Sequence, residues 1–365
     1  MNHGWEKKRF DDCITKVKCP PKLQTKDYED KGLYKIVSQE DGLINGYTNN
    51  VSVIFKHKNP VVVFGDHTRC VKYVDFDFAL GADGIKILSP IDDILPKFFA
   101  YTIRSFKIPS LGYARHYRLL RNSNVPIPSK EQQQAIVAEL DALNEAMEVK
   151  RKQLKALDAL AQALFYDTFG DPRTNPKSFP IHGLSDLCKT VSTGITYKPE
   201  MVAGDGTIVL RSSNIQDSKF VLDDIVRVQM PLKASQYVQK NDILMCSRNG
   251  SARLVGKVCL IPEQSENISW GAFMTIIRSD YYNFLFHYFK LPAFREQLRK
   301  TKTSTVNQIT IGMLKRIRIP LPPLALQERF AAQVEEIERE KENVEATIAR
   351  LQTLLDSRMD YWFND

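Results

Sequence analysis

The chain has 365 residues, 43% apolar and 26% charged, a composition that supports sizeable packed cores and excludes a disordered or membrane-embedded polymer. No apolar run approaches the roughly 18 to 20 residues of a membrane span, and the opening Met1-Asn2-His3-Gly4-Trp5 lacks the basic-then-apolar order of a signal peptide, so a cytoplasmic protein with no membrane partner is expected. The formal net charge of +8 is unevenly spread: +6 over 1–124, −2 over 125–176, +9 over 177–318 and −5 over 319–365, so basic and acidic segments alternate.

Residues 1–124 read as a first basic module. β-Branched runs bordered by turn residues predict strands at 51–55 and 61–64, and an aromatic face predicts a helix at 98–104. Val125-Pro126-Ile127-Pro128 cannot be helical, and Ser129 after it suits a helix N-cap. Apolar residues then recur in steps of four and three through Ile136, Leu140, Leu143, Met147, Leu154, Leu157, Ala161 and Leu164, the pattern of a coiled-coil seam. Residues 125–176 are therefore assigned to a central spacer built on one long helix that opens after the Pro-x-Pro segment. A second basic module follows over 177–318, with strands expected at 208–210, 242–245 and 257–261 and a helix at 283–299. Ile319-Pro320-Leu321-Pro322 repeats the interruption, Pro323 suits a first helical turn, and Phe330, Val334, Ile337, Val344, Ile348, Leu351 and Leu355 form a second seam within 319–365.

These parts are two copies of one design. At a constant offset of 194, Gln133 meets Gln327, Ile136 meets Phe330, Leu140 meets Val334, Leu157 meets Leu351, Phe169 meets Phe363 and Asp171 meets Asp365. The modules repeat more loosely: Trp5, Phe10 and Ser38 fall on Phe179, Leu184 and Ser212 at 174, while Gly81 falls on Gly271 at 190. The fold expected is α+β, two globular modules separated by two long helices. A pattern of roughly 35 to 40 residues spans about 50 to 60 Å at 1.5 Å per residue, more than one module covers. That favours helices packed on each other over helices that each serve a separate core. An approximate two-fold axis would make the pair antiparallel. Lys150 and Lys341 interrupt the two seams.

Side chains suited to reading bases cluster on the expected loops: Ser38, Gln39, Thr68, Arg69, Arg115 and His116 in the first module, and Arg211, Ser213, Asn214, Arg248, Asn249, Ser251, Arg253, Lys300 and Lys302 in the second. Arg pairs with two acceptors of guanine, Asn and Gln with adenine, and Ser, Thr and Lys serve phosphates. Such loops also occur as ordinary solvated turns. Their clustering on modules of charge +6 and +9 favours nucleic-acid contact.

Catalytic fragments do not hold together. Asp83-Gly84-Ile85-Lys86 ends like a metal-dependent nuclease motif, yet the repeat places Asp83 and Lys86 on Phe273 and Ile276. Asn59-Pro60 and Asn175-Pro176 lack the second proline and aromatic of an adenine methyltransferase motif; there is no Walker loop and no GxGxxG after a strand; Glu263 and Glu266 have no partner acid or His at a telling distance. Cys13, Cys19, Cys70, Cys188, Cys246 and Cys259 form no CxxC pair and are read as buried reduced thiols, with no metal site. A self-contained DNA methyltransferase or nuclease, and a coiled-coil adaptor for acidic proteins, are the rival readings.

Gly4-Trp5 with Phe10-Asp11-Asp12, the Pro-x-Pro junction with Glu131-Gln132-Gln133, the helix end Leu164-Phe165 and Phe169-Gly170-Asp171-Pro172, and the second copy Pro320-Leu321-Pro322-Pro323 with Gln327-Glu328 make the chain similar to the specificity subunit of type I restriction-modification systems. The resemblance covers essentially the whole sequence. It implies that each module is a target recognition domain, that the helices are spacers, and that a gapped, two-part double-stranded DNA sequence is read without catalysis. It also implies two modification (methyltransferase) subunits and restriction (translocase/endonuclease) subunits as partners, with S-adenosylmethionine, ATP and Mg belonging to them and no cofactor to this chain. The acidic seams, with Ile136, Leu140, Leu143, Leu154, Leu157, Phe330, Val334, Ile337, Ile348 and Leu351, and Trp362 at the end of the chain, are the expected spacer and docking residues.

Overall fold

The protein's computed structural model describes residues 4–112, 114–301 and 307–364. It divides into two compact units, Met1–Gln153 with Val344–Asp365, and Leu154–Asn343. Both boundaries fall inside long helices, Lys130–Phe169 and Leu324–Phe363. Each unit therefore contains one module and portions of both helices.

The two modules fold alike. In the first unit an antiparallel sheet runs in the order Ile14–Thr15, Ile85–Pro90, Val61–Gly65, Val71–Val74. In the second the order is Thr190–Thr193, Met274–Arg278, Ile243–Cys246, Val258–Leu260. A further sheet sets Tyr34–Val37 parallel to Phe78–Leu80 in one, and Val202–Leu210 parallel to Ile268–Trp270 in the other. Short antiparallel pairs, Glu6–Arg9 with Asn124–Ile127 and Ile181–Gly183 with Arg318–Pro320, tie the start of each module to its proline junction. Val61–Gly65 and Ile243–Cys246 are buried at every position, which explains their unbroken apolar runs.

Several expectations need correction. Only Ile54–Phe55 of the 51–55 run is a strand, because the Asn50 side chain accepts from the Ser52 N–H and draws Val51–Val53 into a 3-10 turn. The helix at 283–299 is two helices, Tyr282–Lys290 and Pro292–Thr301: the proline forces Leu291 into extended backbone, with ψ of 150°. Cys19 is exposed rather than buried, while all six thiols are free. The repeat offset is 189, not 190, from Ile85 and Met274 onward, since Gly65 pairs with Ile85 where Cys246 pairs with Met274. Lys86 thus matches Thr275, and the acid-x-Lys fragment still has no counterpart.

Local chemistry sets the helix ends. Ser129 Oγ accepts from the Gln132 N–H at 3.3 Å while the Gln132 side chain accepts from the Ser129 N–H at 3.2 Å, a reciprocal cap. Lys130–Phe169 stops at Gly170, whose φ of 79° suits a residue without Cβ; a Cβ there would also lie 2.5 Å from Pro176. The buried Gln133 amide donates to the Asp93 and Pro128 carbonyls and accepts from the Leu95 N–H, and its repeat partner Gln327 donates to the Pro322 carbonyl. The paired glutamines hold the proline junctions.

Within each unit the helices meet antiparallel. In the first, Ile136 and Leu140 enter the core with Phe98 and Phe99, joined by Leu355, Met359, Trp362 and Phe363 from the end of the other helix. Glu139 ties that end down by accepting from the Trp362 indole at 2.9 Å and pairing with Arg358. In the second unit Phe165 and Phe169 lie 5.6 and 5.0 Å from Phe330, with Phe284 of the module stacked on Phe165 at 5.5 Å. Val334 and Ile337 are buried, whereas Leu143, Leu154, Leu157, Ile348 and Leu351 are half-buried, as expected where two helices alone cover a seam. Lys341 is buried against Asp158 at 2.8 Å and Glu338 at 3.1 Å, while Lys150 reaches along its own helix to Gln153. His287 lies in this second unit, its ring 5.2 Å from Phe330 and 5.0 Å from Phe286. Burial, with Lys290 and Lys341 nearby, pushes the imidazole down to about 3.

Candidate nucleic-acid interface

Three loops converge at one edge of the first module. The hairpin between Val61–Gly65 and Val71–Val74 carries His67, Thr68 and Arg69. Thr68 Oγ1 donates to the Gln39 carbonyl at 2.7 Å, and the His67 N–H donates to the Gln39 side chain at 3.2 Å. The third loop joins through the His116 N–H, which donates to the Asp66 carbonyl at 2.8 Å, and through Arg69, which donates to the Ile108 carbonyl at 3.0 Å. Thr68, Arg69 and Arg115 are exposed and Gln39 half-buried.

The second module brings together the corresponding loops. Asn249 donates to Ser212 Oγ at 3.1 Å, the Ile309 N–H donates to the Ser247 carbonyl at 2.7 Å, and the Asn307 amide donates to the Gly250 carbonyl at 3.3 Å. One backbone bond recurs at each hairpin, Asp66 N–H to the Gly84 carbonyl and Ser247 N–H to the Phe273 carbonyl. The two edges are thus built on a common frame. Around Arg211, Ser212, Arg248 and Asn249 lies an open groove, which Tyr197 and Phe273 also line.

The predicted residues separate by burial. His116 is fully buried, with Nδ1 on the Asp66 carbonyl at 2.9 Å and Nε2 accepting from the Leu111 N–H. Asn214 is 1% exposed: its oxygen accepts from the Arg211 N–H and its amide donates to the Val221 and Asp224 carbonyls. Ser38, 2% exposed, accepts from the Glu40 N–H. The structure places these three side chains inside their loops, hydrogen-bonded to backbone, rather than on the exposed edge where they were expected. Arg248, Ser251, Arg253 and Lys300 are exposed, Asn249 and Ser213 partly so. Arg211 is held by Asp224 at 2.6 Å, its buried Nε without a partner among the described residues, and Lys300 pairs with Glu296 along its own helix. Lys302 lies outside the described residues, as does Asp365 at the end of the repeat. Trp362 stacks on Trp5 at 6.1 Å as part of the helix anchor. Sequence reasoning missed Phe273, which is 57% exposed beneath the Arg248 guanidinium, and Asn307 with Gln308, whose amides followed the polar run at 300–304 and were legible by residue type.

Fold and edges together define a duplicated α+β protein with two variable polar edges on a constant frame and two antiparallel helices. The family of the type I restriction modification DNA specificity domain matches residues 2–159 and again 176–353, and the chain belongs to it. Similar curated proteins are the EcoKI specificity subunit of Escherichia coli (strain K12), 29% identical over 175 residues, and the StySPI specificity subunit of Salmonella potsdam, 30% identical over 176 residues. The matches take in 46% and 45% of this chain, but only 38% and 37% of those relatives. The S subunit of a type I system from M. genitalium has a similar fold at 16% identity, with 99% of this chain and 96% of that one covered and a TM-score of 0.54. A chain from a structure of type I R-M complex assembly and conformational transition gives 18% identity, 98% and 96% coverage, and 0.57. Among the described residues no helix is long and apolar enough to cross a membrane.

Proposed function

We propose that this chain is the DNA sequence-specificity subunit of a type I restriction-modification complex, working in the cytoplasm. Each module reads one part of a two-part double-stranded target. The helix pair sets the gap between the parts and docks two modification subunits, through which restriction subunits join. The chain carries out no reaction itself; S-adenosylmethionine, ATP and Mg belong to the partner subunits.

The observation that carries this reading is the same three-loop edge on the same backbone frame in two basic modules of charge +6 and +9. Positive charge supplies phosphate affinity that falls with salt, and exposed Arg and Asn side chains supply base discrimination. Each 40-residue helix is about 60 Å long at 1.5 Å per residue, a length suited to spacing half-sites more than one turn of duplex apart. Half-buried Leu154, Leu157, Ile348 and Leu351 leave apolar surface for docking.

The test is sequencing of methylated adenines in cells that contain the modification subunits, with and without this gene. A gapped motif disappears on deletion. An unchanged methylation pattern overturns the proposal, and adenine methylation by the purified chain alone would make it an enzyme instead.

A further inference from the structure

We infer that Arg248 reads a guanine in the major groove, and that the target of the second module therefore contains a guanine at the position this residue faces. The inference rests on the proposed DNA-reading function and gives it a base.

Arg248 and Phe273 sit just beyond the last paired residues of their strands, Cys246 and Met274. The N–H groups of Ser247 and Arg248 both donate to the Phe273 carbonyl, at 2.9 and 3.0 Å. Backbone bonds thus fix the two residues side by side, and the Ser247 carbonyl is in turn held by the Ile309 N–H. The guanidinium carbon lies 5.2 Å from the centre of the Phe273 ring. Among the described residues that guanidinium has no hydrogen bond or ion pair, in contrast to Arg211 with Asp224 and Arg227 with Glu266.

An arginine held over an aromatic ring by cation–π attraction loses rotamer freedom before any ligand arrives, while its N–H donors stay available to one. The fork then matches the paired O6 and N7 acceptors of guanine, the commonest specific arginine contact in the major groove. Phe273 itself has no folding reason to be 57% exposed; supporting the guanidinium gives it one. In the first module the same backbone frame places His67 where Arg248 stands and Gly84 where Phe273 stands. The Arg–Phe pair is private to the second module, so the two modules present different groups at this position.

The test uses the purified full chain, selecting from a random duplex pool, with Arg248→Ala, Arg248→Lys, Phe273→Ala and Phe273→Tyr alongside. The wild-type chain enriches a motif with one guanine that Arg248→Ala no longer distinguishes, a loss of about 10- to 100-fold in discrimination at that base alone. Arg248→Lys and Phe273→Ala weaken the preference, while Phe273→Tyr keeps the stack and the guanine. Replacing that guanine by 7-deazaguanine weakens wild type and leaves Arg248→Ala unaffected. A motif unchanged by Arg248→Ala, with thermal unfolding showing the variant folded, overturns the assignment while leaving sequence-specific DNA reading intact. A wild-type chain that enriches no motif overturns both.

Discussion

Acid should loosen the second unit through His287. This ring is 7% exposed, packed among Phe286, Phe330, Lys290 and Lys341, and held neutral because burial pushes it down to about 3. The charged groups around it are Lys290 and Lys341, which oppose a second cation, and Asp158 and Glu338, which are engaged with Lys341. Well above pH 6.5, from about 7.5 upward, the histidine is neutral in folded and unfolded chains alike and contributes almost no pH dependence. As pH falls below 6.5 the unfolded chain takes up a proton that the folded chain refuses, so stability falls with pH until about 3. From pH 7.5 to 5.5, where the carboxylates remain ionised, the loss is about 1.4 kcal/mol. Urea unfolding of wild type and His287→Leu at both pH values measures it, with the Trp270 fluorescence of this unit resolved from that of Trp5 and Trp362 by Trp→Phe controls. Their stability difference should shift by about 1.4 kcal/mol in favour of the variant at pH 5.5. Equal pH dependence in the two proteins refutes the reasoning, as does an NMR titration that shows the His287 ring protonating near 6.5 in the folded chain.

Gly81→Ala and Gly271→Ala should part company although the positions are repeat partners. A Cβ at Gly81 would stand 2.2 Å from the Tyr28 hydroxyl and 2.6 Å from Ser38 Cβ, whereas at Gly271 the nearest atom is 3.5 Å away; thermal melts should show a loss of about 1 to 3 kcal/mol for the first and little change for the second. Glu139→Gln removes the carboxylate that receives Arg358 and the Trp362 indole. The pair is partly exposed, so about 1 kcal/mol is expected, with a change in tryptophan emission as the helix end frays. The Arg358 guanidinium, ahead of the Trp362 indole, holds the Glu139 carboxyl below the usual carboxylate range, so this contribution is present at neutral pH and disappears as acid protonates the group. Finally, inserting four helical residues after Gln153 and four after Asn343 lengthens both helices by about 6 Å, near two base pairs of duplex. Methylome sequencing should then show the gap of the motif enlarged by about two, with both half-sites unchanged.

Some features were legible because local physics dictates them. Ser129 caps, and the four-three step of Phe330, Val334 and Ile337 has few ways to be buried, whereas the stop at Gly170, short of the 176 expected, and the clasp of Gln133 and Gln327 on the proline junctions were not read. The break at Leu291-Pro292 was equally local, and the aromatic run across it hid it. Other features depend on tertiary contacts and left no local mark. Ser38, His116 and Asn214 belong to residue types that read bases, but the same hydrogen-bonding capacity shapes turns, and only burial distinguishes the two uses. Phe273 erred the other way, since an aromatic among apolar neighbours reads as core.

The same contrast explains how one frame can support different edges. The bonds that position each hairpin, Asp66 to Gly84 and Ser247 to Phe273, join backbone to backbone, so they place no demand on the side chains that the hairpin presents. The frame carries His67 in one module and Arg248 in the other, whereas Gly84, at φ of 79°, holds a left-handed backbone that Phe273 does not share, so that position differs in backbone as well as side chain. Burial protects what the modules share, the strands Val61–Gly65 and Ile243–Cys246 and the cores that hold the helix ends. Exposure frees the rest. Under the proposed function, a duplicated chain built this way would change what either edge recognises without altering the helices between the modules in sequence, which is the property a two-part reader requires.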